Sequence, residues 1–153
     1  MKKILLTFVF FLFITNIFAQ TDKVSVVNKS DGMSLLVNGK SFMINGMNWD
    51  YFPIGTNYSY SFWTQSDEFI KTALDAEMSL LKNMGVNTIR AYVGIQPKWI
   101  TYIYQKYGIW TVVNHSFGRY GLTLDGAWVA NTEYSNPCTQ QLLLKEVTDM
   151  VNL

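Results

Sequence analysis

The stretch from Leu80 to Tyr92 constrains the fold more than any other part of the chain. It reads as the last turns of a helix, a glycine stop at Gly85, and a buried strand that finishes on Arg90. A helix that runs straight into a β-branched strand is part of a parallel α/β unit, and such proteins put their chemistry at the carboxyl ends of their strands. Arg90 and Tyr92 are therefore predicted at the mouth of a site. A second unit follows at once. Pro97 suits the first turn of a helix whose apolar stripe is Trp99, Ile100, Ile103, Tyr104 and Tyr107, ended by Gly108. Ile109 to Val113 is a β-branched run that delivers Asn114 and His115 to its carboxyl end.

The flanking segments extend the pattern. Val24 to Val27 is a short β-like run, followed by the turn-rich Asn28 to Gly32. Leu35 to Val37 and Phe42 to Ile44 flank Asn38-Gly39, a strong hairpin signal because both residues suit the positive φ angles of a type I′ turn. Gly46 to Pro53 opens as a brief apolar strand, and Gly55 to Gln65 reads as a loop rich in Tyr, Ser, Asn and Trp. Ser66 or Asp67 caps the next helix, with Ile70, Ala73, Leu74, Leu81 and Met84 near one face. Val86 to Val93 is the following strand. Ser116 to Ser135 reads as a long loop, and Asn136-Pro137 opens a third helix with Leu143, Val147, Met150 and Val151 near one face. A hairpin followed by alternating strands and helices implies parallel strands joined by right-handed crossovers.

The amino terminus has another purpose. Lys2 and Lys3 precede an apolar run from Ile4 to Ile14, and Ala19 offers a small residue for cleavage before Gln20. That run is shorter than the ~20 residues a bilayer span needs, so a signal peptide over residues 1–19 is predicted rather than a membrane anchor. Secretion into an extracellular or periplasmic space follows. Cys138 is the single cysteine, which rules out an internal disulfide. A net charge of +1 gives no sign of a nucleic-acid partner. Aromatic residues make up 16% of the chain, enough for a large aromatic core or for a surface that stacks on flat apolar faces such as sugar rings.

Three segments, in order and spacing, carry a resemblance. Leu36 to Trp49 resembles the entry to the catalytic (β/α)8 barrel of retaining glycoside hydrolases of clan A, with parallels in family 2 and in family 5. Leu80 to Tyr92 is similar to their first helix and second strand, and Tyr107 to His115 to their third strand. Tyr51-Phe52-Pro53 is similar to a motif of the β-1,3-glucanosyltransferases, which share the same opening. The fold implied is α/β: an incomplete TIM-type (β/α)8 barrel, about its first three β/α units, preceded by a β-hairpin. The segments are then 1–19 signal peptide, 20–45 hairpin and 46–153 partial barrel.

The resemblance implies roles for particular residues. Arg90 matches an arginine that hydrogen-bonds near the nucleophile, where a guanidinium keeps a carboxylate ionised and oriented; the alternative is a structural ion pair. His115 matches a histidine that helps bind sugar hydroxyls, or is a satisfied structural imidazole. Asn48, Trp49 and Asp50 close the first strand and line the same mouth, although Trp49 equally suits the core. Tyr92 leans toward the site. Arg119 and Tyr120 fit a solvated surface better than substrate contact.

Retaining glycosidases work with two carboxyl groups about 5–5.5 Å apart. The family carries them as glutamates ending the fourth and seventh strands, beyond Leu153, and a barrel of this type takes ~250 residues. Asp50 is the one carboxylate predicted at a strand end, and no residue of this chain is assigned as acid/base or nucleophile. The expectation is a truncated part of a secreted glycoside hydrolase, with a carbohydrate as its partner and no cofactor or metal, since this chemistry uses carboxylates alone. The alternatives are a transglycosylase of the glucanosyltransferase kind, a non-catalytic carbohydrate-binding protein with Trp49, Trp63, Trp110 and Trp128 as stacking platforms, and an inert remnant.

Overall fold

The computed structural model describes residues 22–92 and 94–152. The expected signal peptide lies outside the described residues, as do Val93 and Leu153. The chain divides between Met43 and Ile44 into two compact units.

The first unit is a three-stranded antiparallel meander of β1 (Val24–Lys29), β2 (Gly32–Val37) and β3 (Lys40–Ser41). Val37 pairs with Lys40 across Asn38 and Gly39, whose φ angles of 51° and 77° are those of the expected type I′ turn. The Asn38 side-chain oxygen also accepts the Lys23 amide at 2.8 Å. The β-like run at Val24 is a full partner of β2, with Lys29 opposite Gly32.

The second unit is built on a parallel sheet of β4 (Gly46–Trp49), β5 (Thr88–Ala91) and β6 (Trp110–Val113), in that order. Two helices make the connections, α1 (Asp67–Asn83) and α2 (Pro97–Tyr107). The architecture is α/β with alternating strands and helices. Among the described residues the sheet is open, with β4 and β6 as its edges and no closure into a barrel.

Helix α1 starts where Ser66 Oγ accepts the Phe69 amide at 3.3 Å, with Asp67 and Glu68 at the positive end of the helix dipole. Its stop is a Schellman motif. Gly85, at φ 82°, donates to Lys82 O at 2.9 Å, and Val86 donates to Leu81 O at 3.0 Å. The hydrophobic contact of that motif falls on Leu81 and Val86, both buried. Met84, expected on the buried face, is the C-cap and is 65% exposed, because the chain has already begun to turn out of the helix there.

Ile70, Leu74, Met78 and Leu81 of α1 join Trp99, Ile103 and Tyr107 of α2 and Ile89 and Ala91 of β5 in one apolar cluster. Tyr104, expected in the α2 stripe, is exposed and packs its ring 4.7 Å from that of Trp110. On the outer side of the helices Asp75 collects four donors: Lys71 Nζ and Lys106 Nζ at 2.8 Å each, the Tyr107 hydroxyl at 2.6 Å, and the Tyr102 hydroxyl. The Lys106 bond, followed by those of Lys71 and the two tyrosines, holds the Asp75 carboxyl well below the usual carboxylate range. Asp75 in turn raises Lys106.

The segment expected as a plain loop, Ser116 to Ser135, contains a hairpin of β7 (Leu122–Leu124) and β8 (Ala127–Val129). Its turn is Asp125-Gly126, at φ 49° and 80°. Gly121 is fixed there by contact, since a Cβ would lie 2.5 Å from Val129 O and 2.6 Å from the Trp128 ring. Helix α3 (Pro137–Val151) follows, capped by Asn136 Oδ1, which accepts from Cys138 at 2.8 Å and Thr139 at 3.3 Å. Thr139 and Leu143 are buried on it, Val147 and Met150 half-buried, and Val151 exposed, away from the face predicted for it.

Candidate functional site

Alternation along the parallel strands sorts the sheet's two faces. Trp49, Ile89 and Ala91 are buried toward α1 and α2. On the other face, register aligns Asn48 with Arg90 and Arg90 with Val112, and all three are exposed. That face carries the candidate site at its carboxyl half.

Arg90 is its centre. Its Nε and one terminal nitrogen both donate to Asn114 Oδ1, at 3.2 and 2.6 Å. The guanidinium carbon also lies 5.6 Å from the centroid of the Tyr92 ring. Two contacts from neighbouring strand ends thus hold the cation, and two of its five N–H donors are engaged in the pairing with Asn114. The expected structural alternative was a carboxylate partner; among the described residues its hydrogen bonds go instead to the neutral amide of Asn114.

Beside this row, a hollow of about 300 Å3 opens at the ends of β4 and β5. Asp50 and Tyr92 line it, with Phe52, Tyr58, Tyr60 and Trp63 from the aromatic-rich loop. Asp50 Oδ1 accepts the amide of Tyr51 at 2.9 Å. Trp49 takes no part, because strand alternation turns it inward. It is 5% exposed and its ring packs at 5.9 Å on Phe62 and 6.0 Å on Trp63. Its expected place at the mouth is thus corrected to the core, and it is lost as a stacking platform.

His115 stands on the far side, by a second hollow of about 270 Å3 lined also by Asn114, Ile95 and Met150. Its Nδ1 accepts the Phe117 amide at 3.0 Å, which puts the ring proton of the neutral form on Nε2, 3.4 Å from Glu146 Oε2. Phe117 is at φ 52°, an uncommon angle for a residue with a side chain, and its carbonyl accepts the Tyr134 hydroxyl at 3.0 Å. The imidazole therefore ties β6 to its loop and to α3. Both ring nitrogens have partners within the fold, which favours the structural alternative.

Asn48, Asp50, Arg90 and Tyr92 are thus brought to one rim, while Trp49 faces the core and His115 organises a loop. Asn114 as the partner of Arg90 was missed, although its place at the end of a strand was legible. Phe52, Tyr58 and Tyr60 were missed as lining residues; the signal was an aromatic-rich loop. A larger hollow of about 520 Å3 lies between the β7–β8 turn and α3, lined by Asp125, Cys138 and Lys145, away from the strand ends. Among the described residues no three His, Cys, Asp or Glu side chains converge as a metal site would need. No protein-family model, curated protein or solved structure matches the chain.

Proposed function

We propose that the chain supplies the first three β/α units of a secreted retaining glycoside hydrolase acting on β-linked oligo- or polysaccharides. The observation that carries this reading is the polar row on the uncovered sheet face: Asn48 beside Arg90, and Arg90 bonded to Asn114. A sheet face with an ordered guanidinium at its carboxyl end suits a barrel interior better than an outer surface. The open β4 and β6 edges leave room for further strands. Lys2, Lys3 and the apolar run after them support export.

The chemistry is a double displacement. One carboxylate attacks the anomeric carbon while a carboxylic acid protonates the departing oxygen, and water then releases the glycosyl-enzyme. Both groups belong, on this reading, to strands beyond β6. The residues of this chain position them: the remaining Arg90 donors keep the nucleophile ionised and aimed, and the Asn48 amide bonds a sugar hydroxyl.

The test is product analysis on the protein secreted by its source. Neutral β-glucans should be cleaved with retained anomeric configuration, followed by proton NMR, and Arg90→Ala should lower kcat/KM roughly a hundredfold. Inverted product, or an unchanged rate in that variant, contradicts the proposal. A binding-only reading has one observation in its favour, the exposed rings around the Asp50 hollow, and predicts saturable binding with no sugar released.

A further inference from the structure

The aromatic residues beside β4 fall into two groups. Trp49, Tyr51, Phe62, Trp63 and Phe69 pack on one another, with ring centroids 4.7 to 6.3 Å apart. Tyr60 is half-buried against the core cluster, whereas Phe52 and Tyr58 have no such ring contact among the described residues and are 44% and 92% exposed. Leaving such rings in water costs apolar burial, so a loop that sets Phe52 and Tyr58 beside one hollow is not using them to build a core. The walls they face are fixed. Trp63 is wedged against Gly94, where a Cβ would come within 3.3 Å of its ring, and Tyr92 has the Arg90 cation over one face.

The polar groups define the ligand. Among the described residues Asp50 is the only charged side chain lining the hollow. Its Oδ1 takes the Tyr51 amide, and among the described residues no hydrogen bond is made by Oδ2, which can accept from a ligand. Ser59, Ser61, Tyr58 and Tyr60 also line it, and the Ser59 hydroxyl donates to Asn57 Oδ1 at 2.7 Å, leaving its oxygen to accept. An anion would meet an uncompensated carboxylate, and a quaternary ammonium would leave the hydroxyls unused. A ring with apolar C–H faces and hydroxyl edges uses both sets. The volume of about 300 Å3 is at the lower end for small-ligand sites and suits one ring rather than several.

We propose that this hollow is a subsite for a single uncharged pyranose unit, selecting neutral over uronic-acid sugars. The inference rests on the glycosidase reading for its polymer context and deepens it. Tyr92 lines the hollow and touches Arg90, so the unit held here adjoins the unit at the reaction centre. The substrate is then an oligosaccharide and not a monosaccharide.

The test is titration of the protein with neutral β-1,3- and β-1,4-linked glucohexaoses and with an oligogalacturonate of the same length, reading the Trp63 indole signal by NMR. A neutral hexaose should shift that signal and saturate, and the uronate should not bind. Asp50→Asn should weaken binding roughly tenfold, as loss of a charge-assisted hydrogen bond does, and Tyr58→Ala should weaken it too, both with unchanged thermal unfolding. Equal uronate binding, or neutral binding that both variants leave intact, overturns the subsite. If the hollow is silent while Arg90→Ala abolishes hydrolysis, the subsite falls and the glycosidase stands. If binding follows Asp50 but the secreted protein releases no sugar, the glycosidase falls and the subsite stands.

Discussion

At the carboxyl half of one three-stranded sheet, the two faces are in opposite states. At adjacent levels of the strands, Trp49 and Ala91 are at most 5% exposed on one face, while Asn48, Arg90 and Val112 meet solvent on the other. The difference is not one of strand propensity, because the same four-residue strands supply both sets. It lies in what covers them. α1 and α2 supply a continuous apolar stripe to the first face, and no described element does so for the second. Polar side chains occupy the carboxyl half of that second face, with Val112 among them.

The largest effect should come from breaking the covered side. Ile103→Ala removes a fully buried side chain where α2 meets the core, and should cost about 2–5 kcal/mol, read as a shift in urea midpoint. A cost under about 1 kcal/mol would mean that α2 is not seated on the sheet.

The next effect is on the outer clamp between α1 and α2. Asp75→Ala leaves Tyr107 and two lysines without their shared acceptor and should cost about 1–3 kcal/mol. The sign with pH follows from the direction of the shift. The folded-state pKa of Asp75 is depressed, so its contribution is complete above the unfolded value, ~3.9, and is lost as pH falls below it toward the folded value. Lys106 acts in the opposite sense: its pKa is raised, so its share is complete below its unfolded value and is lost as pH rises through the folded one. Thermal unfolding of the wild type and of Asp75→Asn between pH 2 and 6 checks the acid limb, and the gap between the two curves should narrow steadily below about pH 4.

The smallest effect sharpens the contrast from the open side. Val112→Thr keeps the β-branched shape on an exposed position and should change stability by less than about 0.5 kcal/mol in the same urea measurement. A loss of several kcal/mol would show this face already packed.

Much of this contrast was legible in the sequence, and for identifiable reasons. Gly85 and Gly108 sit where helices must stop, Pro97 and Asn136 where they start, and Asn38-Gly39 where a hairpin must turn; each is a local, stereochemical requirement. What failed was not local. Met84 fits the helical stripe by period, and only the geometry of the cap turns it out. The Asp125-Gly126 turn carries the same signal as Asn38-Gly39, but within a glycine-rich and polar stretch that reads as loop throughout. At the site, the strand end of Arg90 was readable from the pattern, whereas its partner Asn114 is 24 residues away and could be assigned only once β5 and β6 were seen side by side. His115 was placed correctly at a strand end, yet its two ring partners come from a loop and from α3, which no periodicity reports.

Amide hydrogen exchange on the 153-residue chain by itself tests the central contrast most directly. β5 is paired on both sides, while β6 pairs only with β5; Trp110 donates to Asn87 O at 2.8 Å, and alternation points the amides of Thr111 and Val113 toward the free edge. The account predicts that Ile89 to Ala91 exchange only through global unfolding, while Thr111 and Val113 exchange orders of magnitude faster. Equal protection of both sets would contradict it, because the edge that is open here would then be covered in solution.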